Sequence, residues 1–297
     1  MKIMFIYVAV MLLLAATSCS NESENSVVTP QTSVPVTVRV DGFTQSLEDF
    51  SGSSHRAAQS VESYDNVKAI TLAFYDANGV EQCKMEQLRD DHTTYTTFGE
   101  FSCSLPVGSY TLVAIARGLQ PNDVFSLNSP VEAVYGGLTR ETFAGTKAVV
   151  ISSTSVQNQN ISLNRVCAKL SIATNDVRPT SIAKIRTTYG HGSKTFSPTT
   201  GFATDNNGFV IVNTPSTAAG NIITIGSYVF LTENTQTMDI TIETLDANDQ
   251  VVFSTVVHDV PFKRNRVTRL HGALFSASVA SAIQVETAWE NEEVVNF

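Results

Sequence analysis

Charge is scarce in this chain: Asp, Glu, Lys and Arg supply 16% of its 297 residues, against about 25% in an ordinary globular domain. The basic side is the thinner one, with 19 Lys and Arg against 28 Asp and Glu, so the net charge is −9. That leaves no basic footprint for a nucleic acid, and acidity at this level favours solubility without naming a partner. Cysteine is limited to four residues, with no Cys-x-x-Cys pair and no Cys/His ligand spacing, which gives zinc modules and dithiol redox motifs no basis. His-Glu-x-x-His, Gly-x-Ser-x-Gly and a complete phosphate-binding loop are missing, so zinc-peptidase, α/β-hydrolase and nucleotide-hydrolase chemistry has no residue set to run on. Beyond Ala16 no apolar run reaches the ~20 residues of a membrane-crossing helix. A sustained helical period is absent too. No catalytic residues, no metal site, no cofactor and no enzymatic activity are expected.

What the chain has in quantity is Thr, Ser, Val, Asn and Gly, a composition of strands and turns. Its start is different. Lys2 precedes an apolar stretch over residues 3–16, short for a membrane span but suited to a signal core, and small residues follow up to Cys19. Small residues before a cysteine are what a lipoprotein signal peptidase needs, because the thiol is acylated before the chain is cut behind it. Residues 1–18 are expected to be a lipoprotein signal and Cys19 the acylated first residue. Ala16 stands three before the cysteine, where Leu is commonest. An ordinary secretory signal cut near Ala16 and a retained membrane anchor are the other readings. Residues 19–34 are polar, too poor in apolar side chains to fold, and are expected to be a tether. Glu22 and Glu24 follow soon after the cysteine, a placement also common in solvated linkers.

The remainder is long enough for two ordinary domains or one large β domain. Residues 36–40 (VTVRV) alternate with the period of a half-buried strand. Strands are expected at 67–75 and 80–85 around Asp76-Ala77-Asn78-Gly79, where Asn-Gly signals a hairpin because both residues tolerate positive φ. Residues 98–105 and 110–116 flank Pro106-Val107-Gly108-Ser109 as a further strand pair. Looser sequence runs to about Lys147; strands return at 148–151 and in one long segment, 160–173. Beyond it, strands are expected at 182–189, 209–213, 222–231, 238–245, 251–257, 267–275 and 283–287. The fold class expected is all-β, two tandem antiparallel β-sandwich domains of transthyretin-like type over 35–163 and 164–297, with the boundary near Leu163.

A weak internal repeat supports two halves. AITLAFYDANGVEQ from Ala69 and DITIETLDANDQVV from Asp239 each place an alternating strand before Asp-Ala-Asn and another after it. Downstream come LPVGSYTLVAIA in one half and VPFKRNRVTRLHG in the other, a Pro-marked turn and a strand each time.

Taken in order, the signal with Cys19, the acidic tether, the DANG hairpin, LPVGSYTLVAIA, LNRVCAKLSI, KRNRVTRLHG and the late VETAW resemble the fimbrillins and FimB-type fimbrial anchor lipoproteins of Bacteroides-type bacteria. The resemblance runs over nearly the whole chain. It implies a cell-surface lipoprotein held in the outer membrane by its N-terminal lipid, with other fimbrial subunits as partners and host or bacterial surface ligands as targets of adhesion. It also implies a choice. Stalk pilins lose their first strand to an arginine-specific protease and accept a neighbour's strand in the groove. Cleavage after Arg39 would remove most of that strand; cleavage after Arg56 would remove all of it together with Cys19. A chain that keeps Cys19 is an anchor, the role that VTRLHGALF and the acidic ending favour; a trimmed chain can polymerise. A reading of another class is a surface glycan- or ligand-binding lipoprotein, against which the single Trp speaks.

Other clusters have plainer readings. Cys83 and Cys103 lie on neighbouring expected strands and could form a disulfide outside the cytoplasm; buried free thiols are the alternative, and Cys167 is left over. Ser181-Ile182-Ala183-Lys184 has the Ser-x-x-Lys spacing of penicillin-binding enzymes, but on a strand those side chains face opposite ways. Asp90-Asp91-His92 and Asp205-Asn206-Asn207-Gly208 fall short of a calcium loop and read as solvated turns. Lys263-Arg264-Asn265-Arg266 reads as an exposed turn, and Trp289 as a ring packed on the last strand.

Overall fold

A computed structural model describes residues 32–43, 60–152, 155–275 and 284–286. Cys19, Arg56, Trp289 and the stretch read as signal and most of the tether lie outside them. Among the described residues the chain is all-β, with no α-helix. The first nine strands are β1 (Ser33–Phe43), β2 (Ala69–Asp76), β3 (Glu81–Leu88), β4 (Glu100–Pro106), β5 (Gly108–Arg117), β6 (Phe125–Ser129), β7 (Glu132–Tyr135), β8 (Thr142–Ile151) and β9 (Gln157–Arg165). They are followed by β10 (Ala168–Thr174), β11 (Lys184–Tyr189), β12 (Thr195–Phe196), β13 (Phe209–Asn213), β14 (Thr224–Val229), β15 (Thr235–Leu245), β16 (Val251–Lys263), β17 (Val267–Gly272) and β18 (Gln284–Glu286).

Two sets of seven strands share one connectivity. In the first, β3-β2-β5-β8 form one sheet and β9-β1-β4 another, joined where Phe143 pairs with Arg165 and Ala144 with Asn164. Gly145 sits at this join, and a Cβ there would come within 2.4 Å of the Ser162 carbonyl oxygen. In the second set, β13-β11-β15-β16 and β14-β10-β17 repeat the order, with β18 added beyond β17. The first strand of each set lies parallel to the last and antiparallel to the fourth: β1 to β9 and β4, β10 to β17 and β14.

The two segments that look alike in sequence are not equivalent in this scheme. The Asp76 turn joins β2 to β3, whose counterparts are β11 and β13; the Asp246 turn joins β15 to β16, counterparts of β5 and β8. What they share is local chemistry. Asp76 Oδ1 accepts from the N–H of Asn78 and Val80, and Asp246 Oδ1 from the N–H of Asn248 and Gln250. The Pro-marked turn expected in the second half is also displaced: Pro261 lies inside β16, and the chain reverses at Arg264-Asn265. The long segment 160–173 is two strands, because the chain leaves β9 after Arg165 and enters β10 at Ala168.

Each set buries its own core. Val34, Val36, Val38 and Val40 of β1 alternate inward and meet Ile70, Leu72 and Phe74 of β2 and Leu112 and Ala114 of β5. In the second set Leu170 and Ile172 of β10 share a core with Ile185 of β11 and Ile240 and Ile242 of β15.

A third sheet, β12-β7-β6, is built from insertions into both sets: β6 and β7 interrupt the path from β5 to β8, and β12 interrupts the path from β11 to β13. It covers the outer face of β2 and β5. Ala73, Tyr75, Val113 and Ile115 pack there against Leu127, Tyr135 and Phe196, with Val166 and Cys167 at the edge. This explains why AITLAFYD and TLVAIA are apolar at nearly every position: these strands are buried on both faces.

Candidate functional site

Two places have geometry beyond packing. The first is β1. Every residue from Val36 to Arg39 is paired on both sides, Arg39 standing opposite Glu100 of β4 and Asn160 of β9. The Arg39 guanidinium points outward and lies 3.6 Å from a Glu100 carboxylate oxygen and 3.8 Å from one of Asp41. Such exposed pairs contribute little stability. The backbone at Arg39 is therefore held in the middle of a sheet although its side chain is on the surface.

The second is a polar cleft of about 420 Å³ between the two sets of strands. One wall is Gly145 and Thr146 of β8 with Ser162 and Asn164 of β9; the other is Thr199 and Thr200 after β12, Asn234, and the Lys263–Arg266 turn between β16 and β17. The turn is built by backbone bonds: Asn265 takes φ 61° and its N–H donates to the Cys167 carbonyl oxygen at 2.9 Å, while the Arg264 N–H donates to Asn234 O at 2.9 Å. All four of its residues are half-buried, not exposed as the sequence suggested. The Arg264 guanidinium lies 4.4 Å over the Phe202 ring, and burial pulls its pKa below the ordinary value.

Arg165 forms the floor. Its Nη1 donates to Asn265 Oδ1 at 2.6 Å and its Nε to Glu141 Oε1 at 2.9 Å. Tyr64 donates its hydroxyl to the same Glu141 oxygen at 2.8 Å. Burial on its own would lower the Arg165 pKa; Glu141 and Tyr64 more than offset that and raise it. Desolvation, then Glu141, push the Tyr64 phenol up to about 12. Among the described residues lining the cleft, Arg165 is matched by Glu141 beneath it, while Lys263, Arg264 and Arg266 have no carboxylate in the lining, a cationic patch on a chain whose net charge is −9. Such a surface suits an anionic group, with Asn and Thr side chains able to bond neighbouring hydroxyls or amides.

The remaining residues form no common site with the cleft. Cys83, Cys103 and Cys167 are free thiols, the first two partly buried against the first core and Cys167 fully buried. Lys184, of the Ser-x-x-Lys spacing, pairs with Asp249 at 2.7 Å. Asp91 accepts from the Thr93 hydroxyl and N–H, which hold its carboxyl below the usual range. Asp205 accepts from Ser193 Oγ at 2.8 Å and Asn206 Oδ1 from the Gly192 N–H at 2.7 Å, so that loop braces β11's exit. Among the described residues no group of three or more His, Cys, Asp and Glu is placed to hold a metal.

The fold of the described residues is all-β, and these candidates assemble no catalytic set among them. The chain belongs to a family of unknown function, DUF6562, whose pattern matches residues 129–296. No curated protein matches it. A candidate adhesin from Bacteroides ovatus has the same fold at 13% identity and TM-score 0.50, covering 89% of this chain and 96% of its own. The fimbrial anchor protein Mfa2 from Porphyromonas gingivalis aligns at 10% identity and TM-score 0.48, over 86% of this chain and 97% of its own. A candidate polysaccharide-binding protein from Bacteroides thetaiotaomicron aligns at 12% identity and TM-score 0.48, over 86% and 96%.

Proposed function

We propose that this chain is a cell-surface lipoprotein, acylated at Cys19 and held in the outer membrane, that acts as the anchor or a minor subunit of a fimbria and takes part in adhesion. It is read as two tandem β-sandwich domains, divided near residue 164, behind a tether; the shared connectivity of the two strand sets supports this. The fold likeness to an adhesin and the order of sequence motifs support the fimbrial setting. The observation that carries the anchor role is Arg39. A protease needs a segment it can draw out as an unpaired strand, and Arg39 is hydrogen-bonded into a sheet on both sides. The folded chain resists cutting at Arg39; Arg56 lies outside the described residues, and a cut there would still release Cys19. N-terminal sequencing of the protein from purified membranes and from sheared fimbriae tests this: a blocked, acylated Cys19 is expected, and chains starting at Val40 or Ala57 would assign it to the polymerising subunits instead.

The cleft favours a second reading, a surface lipoprotein that binds an acidic glycan. Glycan-array binding of the protein without residues 1–31 should then favour uronate- or sialate-bearing sugars over neutral ones and weaken at least tenfold in R264S/R266S. Equal binding of neutral sugars, or none to any sugar, would remove this reading and leave the anchor role untouched.

A further inference from the structure

The seven-stranded order of the first set ends in β3 on one side and β4 on the other. These two end strands face each other, and among the described residues no ladder pairs them. Side chains close the seam instead: Gln87 Nε2 donates to Glu100 O at 2.6 Å and Gln87 Oε1 accepts from the Gly99 N–H at 2.7 Å. The strands run antiparallel across this bridge. Stepping back along β3 from Gln87 passes Met85 and reaches Cys83; stepping forward along β4 from Glu100 passes Phe101 and reaches Cys103. Cys83 and Met85 alternate inward on β3, as Phe101 and Cys103 do on β4, and both cysteines pack on the first core. The Cys83 thiol is near enough to add to the rise in the Cys103 pKa.

We propose that Cys83 and Cys103 are joined by a disulfide in the exported protein, a covalent closure of the seam between β3 and β4. The proposal rests on the export reading, because the cytoplasm keeps such thiols reduced. The oxidant is a protein or small-molecule disulfide. One thiolate of the pair attacks it and displaces one of its sulfurs; the second then displaces the other from the mixed disulfide. Two S–H bonds and the incoming S–S bond are lost, one S–S bond forms across the seam, and the donor leaves as two thiols carrying both electrons and both protons. Burial, and Cys83 beside it, push the Cys103 thiol up to about 12, so exchange is faster at alkaline pH. Cys167 is no competitor, since it is sealed at the edge of the third core. The crosslink holds β4, one wall of the β1 slot, to β3 whether or not β1 is in place.

The test uses the full chain recovered from cell fractions quenched in acid, denatured, alkylated and mapped by mass spectrometry. Envelope protein should yield a Cys83–Cys103 linked peptide and alkylated Cys167, with two further alkylation sites after reduction. A reductant should lower Tm by roughly 5–10 °C, and C83S and C103S should start low and not respond to it. Envelope protein with Cys83 and Cys103 both alkylated before reduction, or linked to Cys167, overturns the proposal alone. Protein found reduced in the cytoplasm overturns the export reading and the disulfide with it.

Discussion

The two strand sets put the same strand in the same place under different constraints. β1 and β10 each run parallel to the last strand of their set and antiparallel to the fourth. β10 is threaded into the chain at both ends, three residues after β9 and ten before β11 in the numbering. β1 is the first strand of the described chain and is held mainly by its ladders and by Val34, Val36, Val38, Val40 and Phe43, all nearly fully buried. One topology thus has a strand that could leave and a strand that could not. The inserted pieces differ as well, after the fifth strand in one set and after the second in the other, and they pair as β7 and β12.

The largest effect should come from deleting residues 1–39. The buried side chains of β1 are worth about 1.5–3 kcal/mol each, so their sum rivals the ~5–15 kcal/mol that keeps a domain folded. Hydrogen exchange should show β2 and β5 unprotected while β11 and β15 stay protected, and a peptide of residues 33–43 should restore the first set. Loss of protection in both together would mean the sets fold as one unit and would break the comparison.

Arg165→Met comes next. It leaves Glu141 buried opposite an apolar side chain, at a cost of about 3–5 kcal/mol, read as a lower midpoint in denaturant. R165M combined with E141L should recover much of it; no recovery would show that Arg165 acts through Asn265 and the cleft turn more than through Glu141.

Alkali should weaken the joint more gently. Desolvation, then Glu141, push the fully buried Cys167 up to about 12, and Tyr64 is likewise near 12. Unfolded, these groups titrate near ~8.5 and ~10. Because the folded pKa values are raised, their contribution is complete below about pH 8.5 and is lost as pH climbs towards 12. Melting temperatures should be flat through neutrality and fall above it, and Cys167→Ala should flatten the first part of that fall. An unchanged slope in the variant would exclude Cys167 as its source.

The smallest effects belong to the turns. D76A and D246A should each cost about 1 kcal/mol, with D76A the larger because Asp76 also accepts from Gln82 at 2.9 Å. Equal thermal shifts would show that the extra bond contributes nothing.

Strands with strict alternation were legible in the sequence: residues 209–213 were placed as observed, and β1 and β11 within a few residues. The third sheet was not. β7 and β12 are too short to establish a period, β6 (FSLNS) has only two large apolar residues, and all three lie among Pro, Asn and Gly. A sign of it was present in AITLAFYD and TLVAIA, whose lack of alternation requires a cover on the second face. The repeat stays local for a similar reason, since Asp-Ala-Asn encodes a turn and says nothing about which strands the turn connects. The cleft needs Arg165 and Arg266, 101 positions apart by subtraction, on one surface. The basic turn was visible, but its half-burial depends on loops whose course the sequence does not encode locally.

The pairing of β1 has a mechanical consequence. The strand's hydrogen bonds to β4 and β9 lie across its axis. Tension applied at Thr32 along that axis loads both ladders in shear, all bonds at once, where a pull at right angles would open them one by one like a zip. A protein held through its N-terminal end would meet drag with its strongest loading geometry, and the weakest link under force would lie elsewhere.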